Sequence, residues 1–314
     1  MPWPLIRLVP TQTHIDFVRL SPFAAVLSAL AVAASIFFFA TSGMNLGVDF
    51  KGGALFEVQT VGPAPLQKLR EELTAMGVED AHVQGFGAPN SAMLTFKAPE
   101  SADPVAALEP IKQKLLAKFP GMQIPRVESV GAKVSGELFK SGFLALGIAI
   151  LLMMIYIWFR FQLQFGLGAV IALFHDILLT LGLLAALQIE FSMPSIAALL
   201  TVIGYSMNEK VITFDRLREN LGKYRRTPLR EVINLSENER LSRTLITGST
   251  ALLALGGALF MGGSALFPLV FTMVFGIIIG TYSSVYVALP VILLWGVKRG
   301  EEEAEPLKPR TVRP

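Results

Sequence analysis

The sequence predicts a polytopic α-helical membrane protein: six transmembrane helices, with a small α+β domain inserted after the first. Three observations carry this. The chain of 314 residues is 53% hydrophobic and only 16% charged, with a mean hydropathy of +0.56, far above that of soluble globular chains. Apolar runs long enough to cross a bilayer recur along it, and one polar stretch, residues 44–137, interrupts them with nine Lys or Arg and eleven Asp or Glu. The absence of Cys excludes disulfides, thiolate metal sites and cysteine nucleophiles. The basic balance, a net charge of +3, sits in loops beside apolar spans, so it speaks of membrane orientation and not of nucleic acid.

Taken in order, residues 1–20 form a cytoplasmic leader with no spanning run. The first transmembrane helix occupies 21–43, where SPFAAVLSALAVAASIFFFA supplies the ~20 apolar residues a span needs. A cleaved signal peptide is the competing reading, since Ala40 and Ser42 resemble a cleavage site, but the apolar run exceeds the usual ~7–15 residues. In 44–137, residues 53–60, 81–87, 91–98 and 123–134 alternate as strands. Residues 65–77 repeat Leu66, Leu69, Leu73 and Met76 at helical spacing, and a second helix, 103–119, opens on Asp103 and Pro104. The order βαββαβ predicts a ferredoxin-like split βαβ domain. His82 reads as a strand residue, because no second ligand lies at metal-binding spacing.

The five-helix region 138–297 follows, with spans near 139–159, 163–187, 193–214, 242–263 and 267–295. A loop at 216–243 carries eight Lys or Arg, and the tail 298–314 carries five and is predicted disordered. The positive-inside rule puts both in the cytoplasm, with both termini, and makes the 44–137 domain periplasmic.

Chemistry concentrates inside the spans. TVIGYSMNEKVITFDRLREN, residues 201–220, places Asn208, Glu209 and Lys210 within an apolar helix. An ionised group at the bilayer centre costs about 2.5 kcal/mol or more, so such residues face a bundle interior or a water path and commonly move protons or ions. Glu209 is the leading candidate. His175 and Asp176 lie ~15–20 Å into the preceding span; an interhelical hydrogen bond and a place on a proton route fit them equally. Arg243, entering the next span, fits either a counter-charge to Glu209 or a snorkelling interfacial residue. Gly248, Gly256, Gly257, Gly276 and Gly280 allow close helix approach. No Ser, His and acid fall together at usable spacing, so no enzyme activity, cofactor or metal site is expected.

Several stretches together resemble the SecF branch of the SecD/SecF family, within the resistance-nodulation-division superfamily. They are GVDFKGG at 47–53, ALFHD at 172–176, GYSMNEKVITFDRLREN at 204–220, LSRT at 241–244 and GTYSSVYVA at 280–288. Gly47, Asp49, Gly52, Gly53, Gly204, Tyr205, Asp215 and Arg216 carry the signature, and the likeness runs over about residues 14–297. The resemblance implies six spans with a periplasmic ferredoxin-like domain in the bacterial inner membrane. It implies SecD as partner, association with the SecYEG channel, and a proton-motive force that promotes a late step in export of an unfolded polypeptide. By the same resemblance Glu209 carries the proton, with Arg243, Asp176 and Asn208 around it. The family usually has Asp then Ser or Thr where this chain has Glu209 and Lys210, and Thr where it has Arg240. A scaffold that anchors SecD without carrying protons is the alternative; a small-molecule or lipid exporter half is disfavoured by the short domain.

Overall fold

The computed structural model describes residues 13–85, 87–98 and 105–297. The tail 298–314, most of the leader and the cap at Asp103 lie outside the described residues.

Asp16 starts the first helix, α1 (Phe17–Thr41), by accepting the Arg19 N–H at 2.9 Å. Its side chains are apolar all round and Phe23, Val26, Leu30 and Phe37 are exposed, as suits a helix wrapped in lipid. After a one-turn helix, α2 (Val48–Lys51), come β1 (Gly53–Gln59), α3 (Leu66–Ala75), β2 (His82–Gly85), β3 (Ser91–Phe96), α4 (Glu109–Lys118) and β4 (Gln123–Val130). The strands form one antiparallel sheet in the order β2-β3-β1-β4. Period-two alternation sends Phe56, Val58, Leu94 and Phe96 to the helix-covered face, where they bury against Leu69, Leu73, Leu108 and Leu115. Leu55 and Met93 point the other way, onto Val48 of α2 and Val130.

Among the described residues the sheet is stitched to the bundle where the 45–47 segment meets Phe191. Leu46 pairs with Phe191, the Gly47 N–H donates to the Phe191 carbonyl at 2.9 Å, and the Phe191 N–H donates to the Asn45 carbonyl at 2.8 Å. Phe50 packs against both Phe139 and Phe191.

The remaining helices are α5 (Ala132–Arg160), α6 (Leu163–Ala186), α7 (Met193–Lys223), α8 (Leu229–Met261), α9 (Gly263–Ser283) and α10 (Leu289–Trp295), the last two joined by a π-helical turn at Ser284–Ala288. Five stretches are long and apolar enough to cross a membrane: Phe17–Thr41, Lys133–Arg160, Leu163–Ala186, Leu229–Met261 and Leu266–Trp295. α7 is not among these; it carries Asn208, Glu209 and Lys210 in mid-course.

α6 is the innermost helix, with small residues where neighbours cross. A side chain on Gly182 would strike Ser35 of α1, and on α9 one at Gly276 would strike Val202 of α7. Gly256 and Gly257 meet nothing within 4 Å, so helix approach is not their role among the described residues.

The expected cytoplasmic loop 216–243 is two helices. α7 runs on to Lys223 and α8 begins at Leu229, so the spans expected at 193–214 and 242–263 are each extended by charged turns. These turns pay their way by cross-linking: Arg216 contacts Glu239 at 2.8 Å, and Asn220 donates to Glu239 at 2.7 Å and to Ser236 at 3.0 Å. The start of α1 is tied to α8 as well, through Asn234 to Asp16 at 2.7 Å and Asn238 to the Ile15 carbonyl at 2.8 Å.

Candidate functional site

Two buried polar clusters lie side by side where α6, α7, α8 and α9 meet. In the first, α6 supplies Asp176, which is fully buried. Its Oδ2 accepts from Lys210 Nζ at 2.8 Å, from Ser283 Oγ at 2.7 Å and from Ser206 Oγ. His175 Nδ1 lies 3.0 Å from Asp176 Oδ1, and its Nε2 lies 3.2 Å from Ser28 Oγ of α1. Ser28 in turn meets the Tyr282 hydroxyl at 2.9 Å. A continuous polar thread thus crosses from α7 through α6 to α1. Lys210 is fully buried and is held by Asp176 and the two serines.

In the second cluster Glu209, on the next position of α7, is fully buried among residues of α8. Its Oε2 accepts from Thr244 Oγ1 at 3.1 Å and from Arg240 Nη1 at 3.5 Å; its Oε1 is buried with no hydrogen-bond partner. Arg240 is shared. It grips Glu237 through Nε and Nη2, the latter at 2.6 Å, and donates to Thr244 at 2.8 Å and to Ser284 at 3.1 Å. Two carboxylates therefore compete for one guanidinium. Consecutive serines serve both clusters, Ser283 the first and Ser284 the second, at the junction of α9 with the π-helical turn. π-turns of this kind recur at functional sites because they re-aim side chains within a helix.

The signature residues separate into those at the site and those that build around it. The expected counter-charge Arg243 is exposed, and Arg240 takes that place. The reason is helical register: the buried stripe of α8 is Ile233, Glu237, Arg240, Thr244 and Gly248, at steps of three and four, and Arg243 falls outside it. Asn208 is exposed on the opposite face of α7 and does not join the cluster. Lys210 reaches Asp176 and not Glu209. Tyr205 meets Thr281 at 3.4 Å, Gly204 lies on the exposed face, and Asp215 and Arg216 anchor the charged end of α7, Asp215 to Arg160 at 2.6 Å. At the far end, Asp49 Oδ2 accepts the Met193 N–H at 2.8 Å and so caps α7. Gly52 and Gly53 have φ of +73° and +112°, and a side chain on Gly53 would meet the Phe96 carbonyl at 2.6 Å. Glu237 was missed in the sequence, although Glu237, Arg240 and Thr244 follow helical spacing, because the stretch read as a loop.

Comparison with known proteins meets this geometry. The description "Protein export membrane protein SecD/SecF, C-terminal" matches residues 111–298, which hold every residue of both clusters except Ser28, and "SecD/SecF GG Motif" matches 37–64. The chain belongs to the SecD/SecF family. It is 42% identical over 94% of its length to "Protein translocase subunit SecF" of Cereibacter sphaeroides, covering 94% of that protein. It is 41% identical over 96% of its length to the SecF subunit of Rhodobacter capsulatus, covering 95% of it. The crystal structure of SecDF, described as a translocon-associated membrane protein, from Thermus thermophilus superposes with a TM-score of 0.82 at 29% identity. That likeness covers 92% of this chain and 40% of the SecDF chain, so the SecD/SecF fold here corresponds to less than half of that molecule. As a family member with five apolar membrane-length helices, it is an integral membrane protein.

Proposed function

We propose that this chain is the SecF-type half of a SecD–SecF assembly in the bacterial inner membrane, where it passes protons through Glu209 to promote a late, non-enzymatic step of polypeptide export through SecYEG. The carrying observation is the charge balance of the buried core. Among the described residues Asp176, Glu209 and Glu237 face the cations Lys210 and Arg240, with the His175 imidazole 3.0 Å from Asp176 on the far side from Glu209's cluster, and Glu209 has one oxygen without a partner. One proton on Glu209 restores neutrality; its departure leaves an anion that pulls Arg240 from Glu237. Proton binding thereby shifts the packing of α7 against α8. In this reading α7 is the sixth span, the termini are cytoplasmic, and the sheet is a periplasmic ferredoxin-like domain; the strand order β2-β3-β1-β4 supports the last. SecD covers the exposed face of α7 formed by Ala197, Thr201, Gly204 and Asn208, which supplies Asn208 with a protein neighbour at membrane depth.

The test is pH-gradient-driven export of a secretory substrate into membrane vesicles holding SecD and this chain. Glu209→Gln is expected to remove the gradient-dependent component while leaving assembly with SecD intact. The closed Asp176–Lys210 pair favours a second reading, a static scaffold, and export unchanged by Glu209→Gln would establish that reading instead.

A further inference from the structure

The stitch between sheet and bundle encloses a buried acid that the function above does not use. Glu190, in the connection from α6 to α7, is 5% exposed, and its Oε1 has no hydrogen-bond partner. It lines a cavity of about 850 Å³ between the open face of the sheet and α2. A side chain on Gly47 would meet Glu190 Oε1 at 2.5 Å, so the signature glycine is what leaves room for the carboxyl group. Opposite stands Arg126 of β4. Its Nε donates to Glu128 at 2.8 Å, but its buried Nη1 has no acceptor. Two buried atoms of complementary charge, one on the bundle and one on the sheet, are thus both unsatisfied, close enough for each to feel the other's field.

We propose that Glu190 is a proton-binding site at the junction, and that its deprotonation draws Arg126 into an ion pair that re-seats the sheet domain on the bundle. The arrangement seen here suits the neutral acid, because a buried carboxylate oxygen without a donor is costly. Of the charged groups packed around Glu190, Asp49 of α2, Glu57 of β1 and Glu128 of β4 repel its anion, and Arg126 attracts it. Burial, with that repulsion, holds its carboxyl above the ordinary carboxylate range despite Arg126. The neutral seat is therefore complete at low pH and is lost as pH rises through that elevated value. The lining also carries Asp80, His82, Lys51, Lys97 and Lys133, and His82→Gln serves as the control for the imidazole. The released proton goes to water in the cavity, so the site answers to the pH on the domain's side of the membrane.

The proposal stands on the junction and not on Glu209. With 0 cysteines in the chain, Val61→Cys on the domain and Leu187→Cys on the bundle, both exposed, accept spin labels site-specifically. Distances between them are measured by electron paramagnetic resonance in lipid nanodiscs from pH 5 to 9. The native distribution is expected to move to a second position as pH rises, with a midpoint above the ordinary carboxylate range. Glu190→Gln is expected to hold the low-pH position throughout, Arg126→Gln to abolish the high-pH one, and His82→Gln to change neither. A native distribution that ignores pH, a shift that survives Glu190→Gln, or one lost with His82→Gln overturns the proposal. Glu209→Gln is expected to keep the distance shift while losing gradient-driven export, so the two readings fail separately.

Discussion

Adjacent residues on α7 have opposite loyalties: Glu209 turns to α8 and Lys210 to α6. About 100° per residue is enough to send neighbours into different clusters, so the cation beside Glu209 in sequence is not its partner in space. Lys210 is instead the ammonium that faces Asp176, alongside Ser206, Ser283 and His175. Replacing it with Met strands a buried carboxylate, and the expected loss is about 3–5 kcal/mol in unfolding from detergent. Asp176→Asn together with Lys210→Met is expected to recover most of that; a double variant as unstable as the single would refute the pairing. Arg240 and Arg243 make a sharper contrast. Arg240→Gln removes the guanidinium shared by Glu209 and Glu237 and is expected to abolish gradient-driven export, whereas Arg243→Gln, on an exposed position, is expected to keep it. Equal effects of the two would refute the register of α8.

Helices in this bundle are positioned by small contacts with defined partners. Gly276 of α9 lies against Val202 of α7, directly beside the clusters, while Gly256 of α8 meets nothing within 4 Å. Gly276→Leu is therefore expected to destabilise the protein by overpacking, on the order of 1–3 kcal/mol or more, and Gly256→Leu to be tolerated. Thermal unfolding of the pair in one detergent checks this, and equal midpoints would contradict the packing. The start of α7 is capped in part by Asp49, from a different element, which accepts the Met193 N–H. Asp49→Ala is expected to cost about 1 kcal/mol, the ordinary value of a lost cap, with no loss of the gradient dependence that rests on Glu209. Hydrogen exchange at the first turn of α7 would report it as faster opening, and unchanged protection would show that the cap carries no weight.

At the scale of the whole molecule, the bundle leaves a stripe of Ala197, Thr201, Gly204 and Asn208 uncovered on its most polar helix. Gly204→Leu, at a position where an added Cβ meets nothing within 4 Å among the described residues, is expected to lower co-purification with SecD several-fold without changing the stability of the isolated chain. Co-purification at the native level would place SecD on another face. The apolar runs by themselves determined that this chain is a membrane protein, and strand alternation between 53 and 130 determined the sheet, because both are local periodicities that burial imposes on neighbouring residues. The buried carboxylates Asp176 and Glu209 were legible for a similar reason: a charge in an apolar run is conspicuous whatever it touches. Their partners were not. Whether Arg240 or Arg243 meets Glu209 depends on where α8 begins, and the 216–243 stretch is helical only because Arg216, Asn220, Ser236 and Glu239 bind across two antiparallel helices. Charged turns of that kind look like a loop until a second helix satisfies them, and the Glu190–Arg126 junction likewise joins residues from separate elements. Local sequence sets which groups are buried, whereas their pairing is a property of helices brought together from distant parts of the chain, and only the tertiary structure decided it.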